Sequence, residues 1–132
     1  MASLFELQNP PFGQLTKTKG VKLENDGAVT LTTAEIIEGI VEGTPTENVA
    51  LTTPTGAAIV AALGQQALLH QCFEITIINT ATSGTKNFTL TAAATGINIV
   101  GSAVVAPATS GTFIGRVENP ASGQEVVTFY RK

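Results

Sequence analysis

The chain of 132 residues has little charge, a single cysteine, a single histidine and no tryptophan. Only 13% of its residues are charged, which is about half the share found in an average soluble protein. One cysteine excludes an internal disulfide, so the chain does not require an oxidising compartment. Its seven basic residues are scattered, and a net charge of −3 argues against direct binding to nucleic acid, which needs a basic stripe.

Long apolar runs are missing as well. The longest, about nine residues around Ile59, is too short to span a bilayer, which needs roughly 20. The first seven residues contain neither the basic region nor the apolar region of a signal peptide. These absences predict a protein that is made in the cytoplasm and has neither a membrane nor a nucleic acid as its partner.

Threonine and glycine are abundant instead, and 43% of the residues are hydrophobic. This composition is typical of a β protein with short turns and argues against a helical bundle. The length suits one domain whose core needs no metal or disulfide. We therefore expect an all-β, jelly-roll-like β-sandwich over residues 21–132, preceded by an extended N-terminal arm over residues 1–20.

One stretch near the middle of the chain predicts a short helix that leads into a buried strand. Thr53 suits the N-cap, Pro54 the first helical position and Gly64 the C-terminal stop. These signals predict a helix over about residues 54–63. The apolar period then changes to two, which indicates a strand over Cys72–Asn79.

Other elements follow from turn signals. A hairpin is expected between residues 21–24 and 29–32, because the Asn-Asp-Gly sequence between them tolerates left-handed backbone. Residues 33–42 are ambiguous: Thr32 and Glu35 fit a capping box, but β-branched residues and a glycine favour a strand. The last strand is expected to be central or packed against another subunit, because both of its faces are apolar. Strands are predicted at residues 48–52, 87–92 with Phe88, Leu90 and Ala92 inward, 97–100, 103–106, 112–118 and 125–131.

Patterns that would indicate catalysis or metal binding are weak. His70 and Cys72 are two residues apart, which on a strand places both side chains on one face, but a nucleophilic pair also needs an orienting group. We expect a partly exposed histidine and a small buried thiol there. These two residues alone are also too few for a structural zinc site, which has about four ligands.

Three glutamates, Glu35, Glu38 and Glu42, form a local acidic cluster. We interpret it as a solvated edge, with a cation site as the alternative. The glycines do not make a phosphate-binding pattern. We therefore predict no catalytic, cofactor-binding or metal-binding residues and expect that the protein is not an enzyme; a small enzyme that uses His70 or the glutamates is a further alternative.

The first twenty residues contain five large apolar residues, and an Asn-Pro-Pro sequence breaks any regular element among them. A solvated tail rarely has so many large apolar side chains, so we predict that this arm orders against a neighbouring subunit. A frayed terminus is the alternative. The residues expected to bind the partner are Phe5, Leu7, Phe12, Leu15, Lys17 and Lys19.

Four segments in the remainder of the chain suggest a protein family. They are Pro54-Thr55-x-Ala57-x-Ile59-Val60-Ala61-Ala62-Leu63, Phe73-x-Ile75-x-Ile77-x-Asn79, Ser110-Gly111-Thr112-Phe113 and Val127-Thr128-x-Tyr130-Arg131. Together they resemble small structural proteins of viruses, especially capsid decoration (cement) proteins and minor capsid proteins of tailed phages. The likeness covers about residues 30–132. It departs at residues 65–71, where such chains are shorter and richer in glycine and aspartate.

The resemblance implies an all-β fold, often trimeric, without enzymatic activity. It leads us to expect a virion structural protein that decorates or cements a capsid and binds the major capsid protein at the capsid surface, without a cofactor or small-molecule substrate. The alternative is a tail- or head-fibre module, or a receptor- or carbohydrate-binding sandwich. That alternative needs aromatic residues on exposed loops, whereas most of the few aromatic residues fall at predicted strand positions.

Overall fold

The computed structural model describes residues 21–23 and 27–132, which form mostly strands in two sheets, with two short helices. Helix α1 spans Thr33–Glu38, helix α2 spans Gly56–Leu63, and a 3-10 turn follows at Gly64–Gln66. The β-rich class is confirmed, with one helix more than predicted. The strands are β1 Val21–Leu23, β2 Val29–Thr30, β3 Ile40–Gly43, β4 Val49–Thr52, β5 Cys72–Asn79, β6 Phe88–Thr91, β7 Ile97–Val100, β8 Val104–Val105, β9 Thr109–Asn119 and β10 Val126–Arg131.

Six strands form one sheet in the order β1-β3-β5-β9-β10-β7, and four form the other in the order β2-β4-β6-β8. The chain alternates between the sheets from β1 to β8, so these consecutive strands do not pair with each other. Of the eight pairings among the described residues, five are parallel and three are antiparallel. Each parallel neighbour therefore comes from a separate passage of the chain through the same sheet.

The expected hairpin between residues 21–24 and 29–32 is wrong. β1 pairs with β3 in the six-stranded sheet, and β2 pairs with β4 in the four-stranded sheet. A turn sequence specifies only a local change of direction, whereas the partner of each strand here lies about 20 residues away along the chain, which is the reach of a crossover rather than a hairpin. Burial of apolar side chains between two sheets decides the pairing.

Helix α1 forms where a strand was favoured. The Thr32 hydroxyl accepts a hydrogen bond from the N–H of Glu35 at 3.2 Å, and the Glu35 carboxylate accepts one from the N–H of Thr32 at 2.6 Å, which completes a capping box. Gly39 then takes a left-handed φ of 93° and ends the helix. These two caps, together with the burial of Ile36, outweigh the low helix propensity of β-branched residues. Of the strand expected over residues 33–42, only the part that belongs to β3 forms.

Helix α2 confirms the helix predicted at residues 54–63, but it starts two residues later. Thr55, and not Thr53, is its N-cap, with a hydroxyl that accepts a backbone N–H at 3.2 Å. Thr53 is buried and continues the pairing with the neighbouring strand, while its hydroxyl accepts the N–H of Ala93 at 3.1 Å. Gly64 ends the helix as predicted. Because these contacts hold Thr53, the expected cap, in an extended pairing, the helix begins after Thr55 instead.

Several of the predicted strands agree closely with the structure. β5 has the predicted bounds, and its Ile75 and Ile77 are fully buried. β7 also has the predicted bounds, and β10 lies between β9 and β7, which confirms its expected central position. β9 begins at Thr109, earlier than predicted. Ala92 is exposed rather than inward, because β6 ends one residue before it.

The hydrophobic core lies between the two sheets. Phe88 comes from the four-stranded sheet and Phe113 and Phe129 from the six-stranded sheet, and all three are fully buried. Helix α1 packs against β5 and helix α2 against β10, so both helices cover the inner face of the larger sheet. In the part of the chain described, no helix has the length and apolar character needed to cross a bilayer. Neither of the two described helices covers the opposite face of the larger sheet.

The close approach of Gly56 and Gly96 gives a test of this packing. A Cβ on Gly56 would lie 2.5 Å from the carbonyl oxygen of Gly96 and 2.8 Å from that of Glu125. Helix propensity alone predicts that Gly56→Ala stabilises the protein by up to about 1 kcal/mol. We expect a loss of about 1–3 kcal/mol instead, because the backbone atoms have to move.

Chemical denaturation measures the sign of this effect. Ala61→Gly at an exposed position of the same helix is the matched control, and we expect it to cost about 1 kcal/mol through propensity alone. A Gly56→Ala variant that is neutral or more stable than wild type would contradict the close packing of α2 on the loop after β6.

Candidate functional site

One side of the six-stranded sheet points away from the core. Side chains alternate along its strands, so that Ile75 and Ile77 point inward while Glu74 and Thr76 point outward. We call the outward set the outer face. It consists of Ile40 and Glu42 of β3, Cys72, Glu74, Thr76 and Ile78 of β5, Ser110, Thr112, Ile114, Arg116 and Glu118 of β9, Thr128 and Tyr130 of β10, and Asn98 and Val100 of β7.

Charge on the outer face is largely paired within the molecule. Arg116 forms an ion pair with Glu118 at 2.8 Å, and Glu74 forms one with Lys132 at 3.3 Å. Most of the remaining side chains are small, apolar or uncharged. Because paired charges and small side chains cost less to remove from water than isolated charges do, another protein can cover this face at a lower desolvation cost than a face of unpaired charges.

β9 and β10 bring three polar side chains of the outer face into one network. Arg116 donates from Nε to Glu118 Oε2 at 2.8 Å and from Nη2 to Oε1 at 3.2 Å, as a two-pronged pair. The Tyr130 hydroxyl donates to Glu118 Oε2 at 2.9 Å and accepts from Arg116 Nη2 at 3.2 Å. The guanidinium also lies over the Tyr130 ring, 5.3 Å from its centroid. Each side chain therefore contacts the other two.

This network is fixed in one charge state near neutral pH. Hydrogen bonds from Arg116, and then from the Tyr130 hydroxyl, hold the pKa of Glu118 below its ordinary value. The Glu118 carboxylate in turn raises the pKa of Arg116. Neither group exchanges protons readily at pH 7, so the arrangement suits a rigid contact surface better than acid–base chemistry.

Sequence reasoning did not single out this network. Arg116 and Glu118 are two residues apart on a strand. This spacing places both side chains on one face, so it indicates two of the three members of the network. Tyr130 joins them through the β9–β10 register, in which Ile114 lies opposite Tyr130 and Arg116 opposite Thr128. The third member therefore depends on a pairing that the spacing alone does not specify.

His70 and Cys72 lie at the start of β5, and both are exposed. The expected buried thiol is wrong, because the inward positions of β5 belong to the alternate residues that begin at Phe73. Cys72 Sγ contacts the backbone carbonyl oxygen of His70 at 3.5 Å. His70 has a left-handed φ of 69°, and its N–H donates to the carbonyl oxygen of Val117 at 2.7 Å. Backbone contacts thus position this residue pair.

The three glutamates of the predicted acidic cluster have separate positions. Glu35 is buried in the capping box of α1, Glu38 is exposed at the end of α1, and Glu42 is half-buried on β3. Within residues 21–23 and 27–132, no group of three or more His, Cys, Asp or Glu side chains is placed to hold a metal ion. The cluster in the sequence is therefore not one site in the described structure.

A cleft of about 470 Å³ lies beside the first turn of α2. Glu125 is the only ionisable residue in its lining, and its carboxylate accepts the N–H of Gly123 at 3.0 Å. The other polar side chains in the lining are those of Thr95 and Gln124, and neither titrates in the range that suits general acid–base catalysis near neutral pH. The cleft is lined by Ala57, Thr95, Gly96, Gly123, Gln124, Glu125 and Val126.

The arm residues that were predicted to bind a partner lie outside the described residues, so their role stays a prediction. The predicted partner-binding residues of the arm are Phe5, Leu7, Phe12, Leu15, Lys17 and Lys19. The one structural fact that bears on them is the position of Val21, which begins β1 at an edge of the six-stranded sheet.

Comparison with known proteins adds no assignment to this geometry. No family model, no curated protein and no solved structure matches the chain. The interpretation of the outer face therefore depends on its own residues, on the paired charges within it and on the strands that position them.

The Glu118 network predicts a specific dependence of stability on pH. The folded pKa of Glu118 lies below its ordinary value of about 4.5. The contribution of Glu118 to the unfolding free energy is therefore complete above that value and is lost as the pH falls through the lower folded pKa. Glu118→Gln keeps the shape but not the charge. We expect the difference in unfolding free energy between wild type and this variant to shrink as the pH falls below about 4.5.

Denaturant unfolding at a series of acid pH values measures this difference. Tyr130→Phe is the matched variant, because it removes one hydrogen bond from Glu118 and leaves the pair with Arg116 in place. We expect it to keep part of the pH dependence. If the unfolding free energies of wild type and Glu118→Gln differ by the same amount at every acid pH, the network does not lower the pKa of Glu118.

Proposed function

We propose that this protein is a virion structural protein that decorates a capsid and stabilises contacts between major capsid proteins. The observation that supports this proposal is the outer face of the six-stranded sheet, a β surface on which Glu74, Arg116 and Glu118 are ion-paired within the molecule. Such a surface suits lasting burial against another protein. This role requires a surface that is complementary to the capsid and binds it, and it requires no reacting group.

The energetics of such a contact follow from the composition of the outer face. A standard stable interface buries about 800 Å² on each partner. Apolar surface contributes about 25 cal/mol per Å² removed from water, although only part of that appears as affinity. Ile78 and Ile114 are half-exposed and Val100 is 51% exposed, so they supply apolar area. With charges already paired, binding to the capsid should change little with salt.

The arm is the second part of the proposed capsid contact. Its apolar residues Phe5, Leu7, Phe12 and Leu15 would be buried against the major capsid protein, and its backbone would pair with an exposed sheet edge of that protein. Lys17 and Lys19 would lie near the junction with the domain. Because β1 is an edge strand, a segment that precedes it can leave the domain without crossing the core.

The proposal includes a homotrimer at the capsid surface, made in the host cytoplasm, and a β-sandwich of jelly-roll-like type. The core that both sheets share supports a sandwich. The parallel pairings, such as β1 with β3 and β4 with β6, are a feature that antiparallel jelly rolls lack. The proposed architecture is therefore a sandwich that combines an antiparallel part with a parallel one.

Deletion of residues 2–16 tests the role of the arm. We expect the truncated chain to stay folded, because the described core lies within residues 27–132, but to lose binding to expanded capsids that lack the protein. Co-sedimentation measures binding, and circular dichroism confirms folding. Full occupancy of the capsids by the truncated chain would show that the arm is not required.

Substitutions on the outer face test the observation on which the proposal depends. We expect Ile78→Lys with Ile114→Lys to reduce capsid binding at least tenfold, because two unpaired charges would have to be buried. Thr89→Lys, at a half-exposed position of the four-stranded sheet, is the matched control and should bind like wild type. Equal binding by all three proteins would rule out the outer face as the docking surface.

A further inference from the structure

The two most exposed large apolar residues in the described part of the chain are neighbours. Leu68 is 62% exposed and Leu69 is 58% exposed, and they lie in the connection between the 3-10 turn after α2 and strand β5. Scattered exposed apolar residues are normal on a protein surface, whereas adjacent ones form a patch, and apolar patches commonly mark interaction sites. We call residues 68–71 the leucine turn.

Hydrogen bonds hold the backbone of the leucine turn in place. The N–H of Gln71 donates to the carbonyl oxygen of Leu68 at 2.9 Å, which closes the turn. The N–H of His70 donates to the carbonyl oxygen of Val117 at 2.7 Å, and the N–H of Val117 donates to that of Gln71 at 2.9 Å. Val117 of β9 therefore bonds to two consecutive residues, as in a β-bulge. These bonds fix the position of the turn relative to β9.

His70 adopts a backbone conformation that favours glycine. Its φ is 69°, and it is the third residue of the turn and the first of the bulge, two positions at which glycine usually provides the left-handed conformation. A larger residue there adds strain, and such strain is found most often at functional sites. The side chain of His70 is exposed, so its burial in the core does not explain the strain.

The leucine turn adjoins one end of the outer face. Strand β5 continues from the turn at Cys72, which pairs with Arg116, so the turn lies at the end that contains the Arg116–Glu118–Tyr130 network. Arg116 contributes most to the low pKa of Glu118, and the nearby charge of His70 contributes as well, which agrees with this position. A protein that covers the outer face can therefore reach the leucines in the same contact.

The charges near the turn favour a protein over a membrane as its partner. Segments that insert into membranes usually combine apolar residues with lysine or arginine, which bind anionic head groups. The sequence has no lysine or arginine between residues 27 and 79, and Arg116 is already paired with Glu118. Two leucines on an exposed turn without basic neighbours of their own suit an apolar pocket on another protein.

We propose that the leucine turn anchors the docked outer face by inserting Leu68 and Leu69 into an apolar pocket of the major capsid protein. This inference rests on the proposed function, and it adds residues outside the sheet to the contact. A few residues that fill pockets on the partner commonly provide most of the affinity of an interface. A turn whose backbone is already fixed loses little conformational entropy when it binds, which favours affinity.

Three variants of the full-length chain test the anchor. Leu68→Ala with Leu69→Ala removes most of the apolar area, and Leu68→Met with Leu69→Met keeps it in another shape. Ile37→Ala with Val104→Ala is the matched control, because these two residues are 40% and 42% exposed and lie on α1 and β8, away from the outer face. Thermal unfolding checks that each variant is folded.

Co-sedimentation with expanded capsids that lack the protein measures binding. We expect the alanine variant to bind at least tenfold more weakly than wild type, which corresponds to about 1.4 kcal/mol. The methionine variant should stay within about threefold of wild type, because methionine adapts to irregular apolar pockets. The Ile37/Val104 control should bind like wild type.

Hydroxyl-radical footprinting of wild type reports burial of the turn directly. We expect the side chains of Leu68 and Leu69 to be oxidised less in the capsid-bound protein than in the free protein. Ile37 and Val104 should be oxidised equally in both states, because the proposed contact does not cover them.

The outcomes separate this inference from the proposed function. If wild type binds capsids and the alanine variant binds equally well, or if the two leucines are oxidised equally in both states, the anchor is wrong and capsid docking still stands. If wild type does not bind capsids, the proposed function fails and this inference fails with it. Flotation with vesicles of phosphatidylcholine and phosphatidylserine tests the other occupant. Vesicle binding that depends on Leu68 and Leu69 would overturn the assignment to a protein pocket.

Discussion

The antiparallel pairing of β5 with β9 is the constraint on which the remaining structure depends. Eight consecutive residues of β5 pair with β9, and the inward side chains of both strands fill the core. β5 also pairs in parallel with β3, so one strand joins the parallel strands β1 and β3 to the antiparallel strand β9. A slip of one residue would move Ile75, Ile77 and Phe113 out of the core, which makes the register strongly specified.

Asn79, at the end of β5, ties the two sheets together. It is 1% exposed, and its amide nitrogen donates to the carbonyl oxygens of Lys86 at 2.8 Å and Val105 at 2.9 Å. Its side-chain oxygen accepts the N–H of Ala81 at 3.0 Å. A buried amide with its hydrogen bonds made in this way costs little and holds β8 over β5. The fixed register and this contact hold the six-stranded sheet in place, with its outer face turned away from the core.

Local signals were sufficient where they were strong and consistent. The alternation in β5 and the turn signals on either side of β7 predicted both strands with their bounds, and Gly64 predicted the end of α2. They failed where two local rules disagreed, as at α1, where the capping box of Thr32 and Glu35 prevailed over β-branched residues. For the candidate site, the two-residue spacing of Arg116 and Glu118 on a predicted strand could have indicated a shared face, but the pair was not singled out from the sequence. Tyr130 could not be assigned to them, because its position depends on the β9–β10 register.

The sequence by itself determined a β-rich chain with little charge, because composition and a period of two are properties of residues near each other in the chain. Only the tertiary structure decided that consecutive strands enter different sheets, that Thr53 is buried instead of capping a helix, and that Tyr130 joins Arg116 and Glu118. The physical reason is that strand partners are selected by burial between residues far apart in the chain. Local propensity contains no information about that choice.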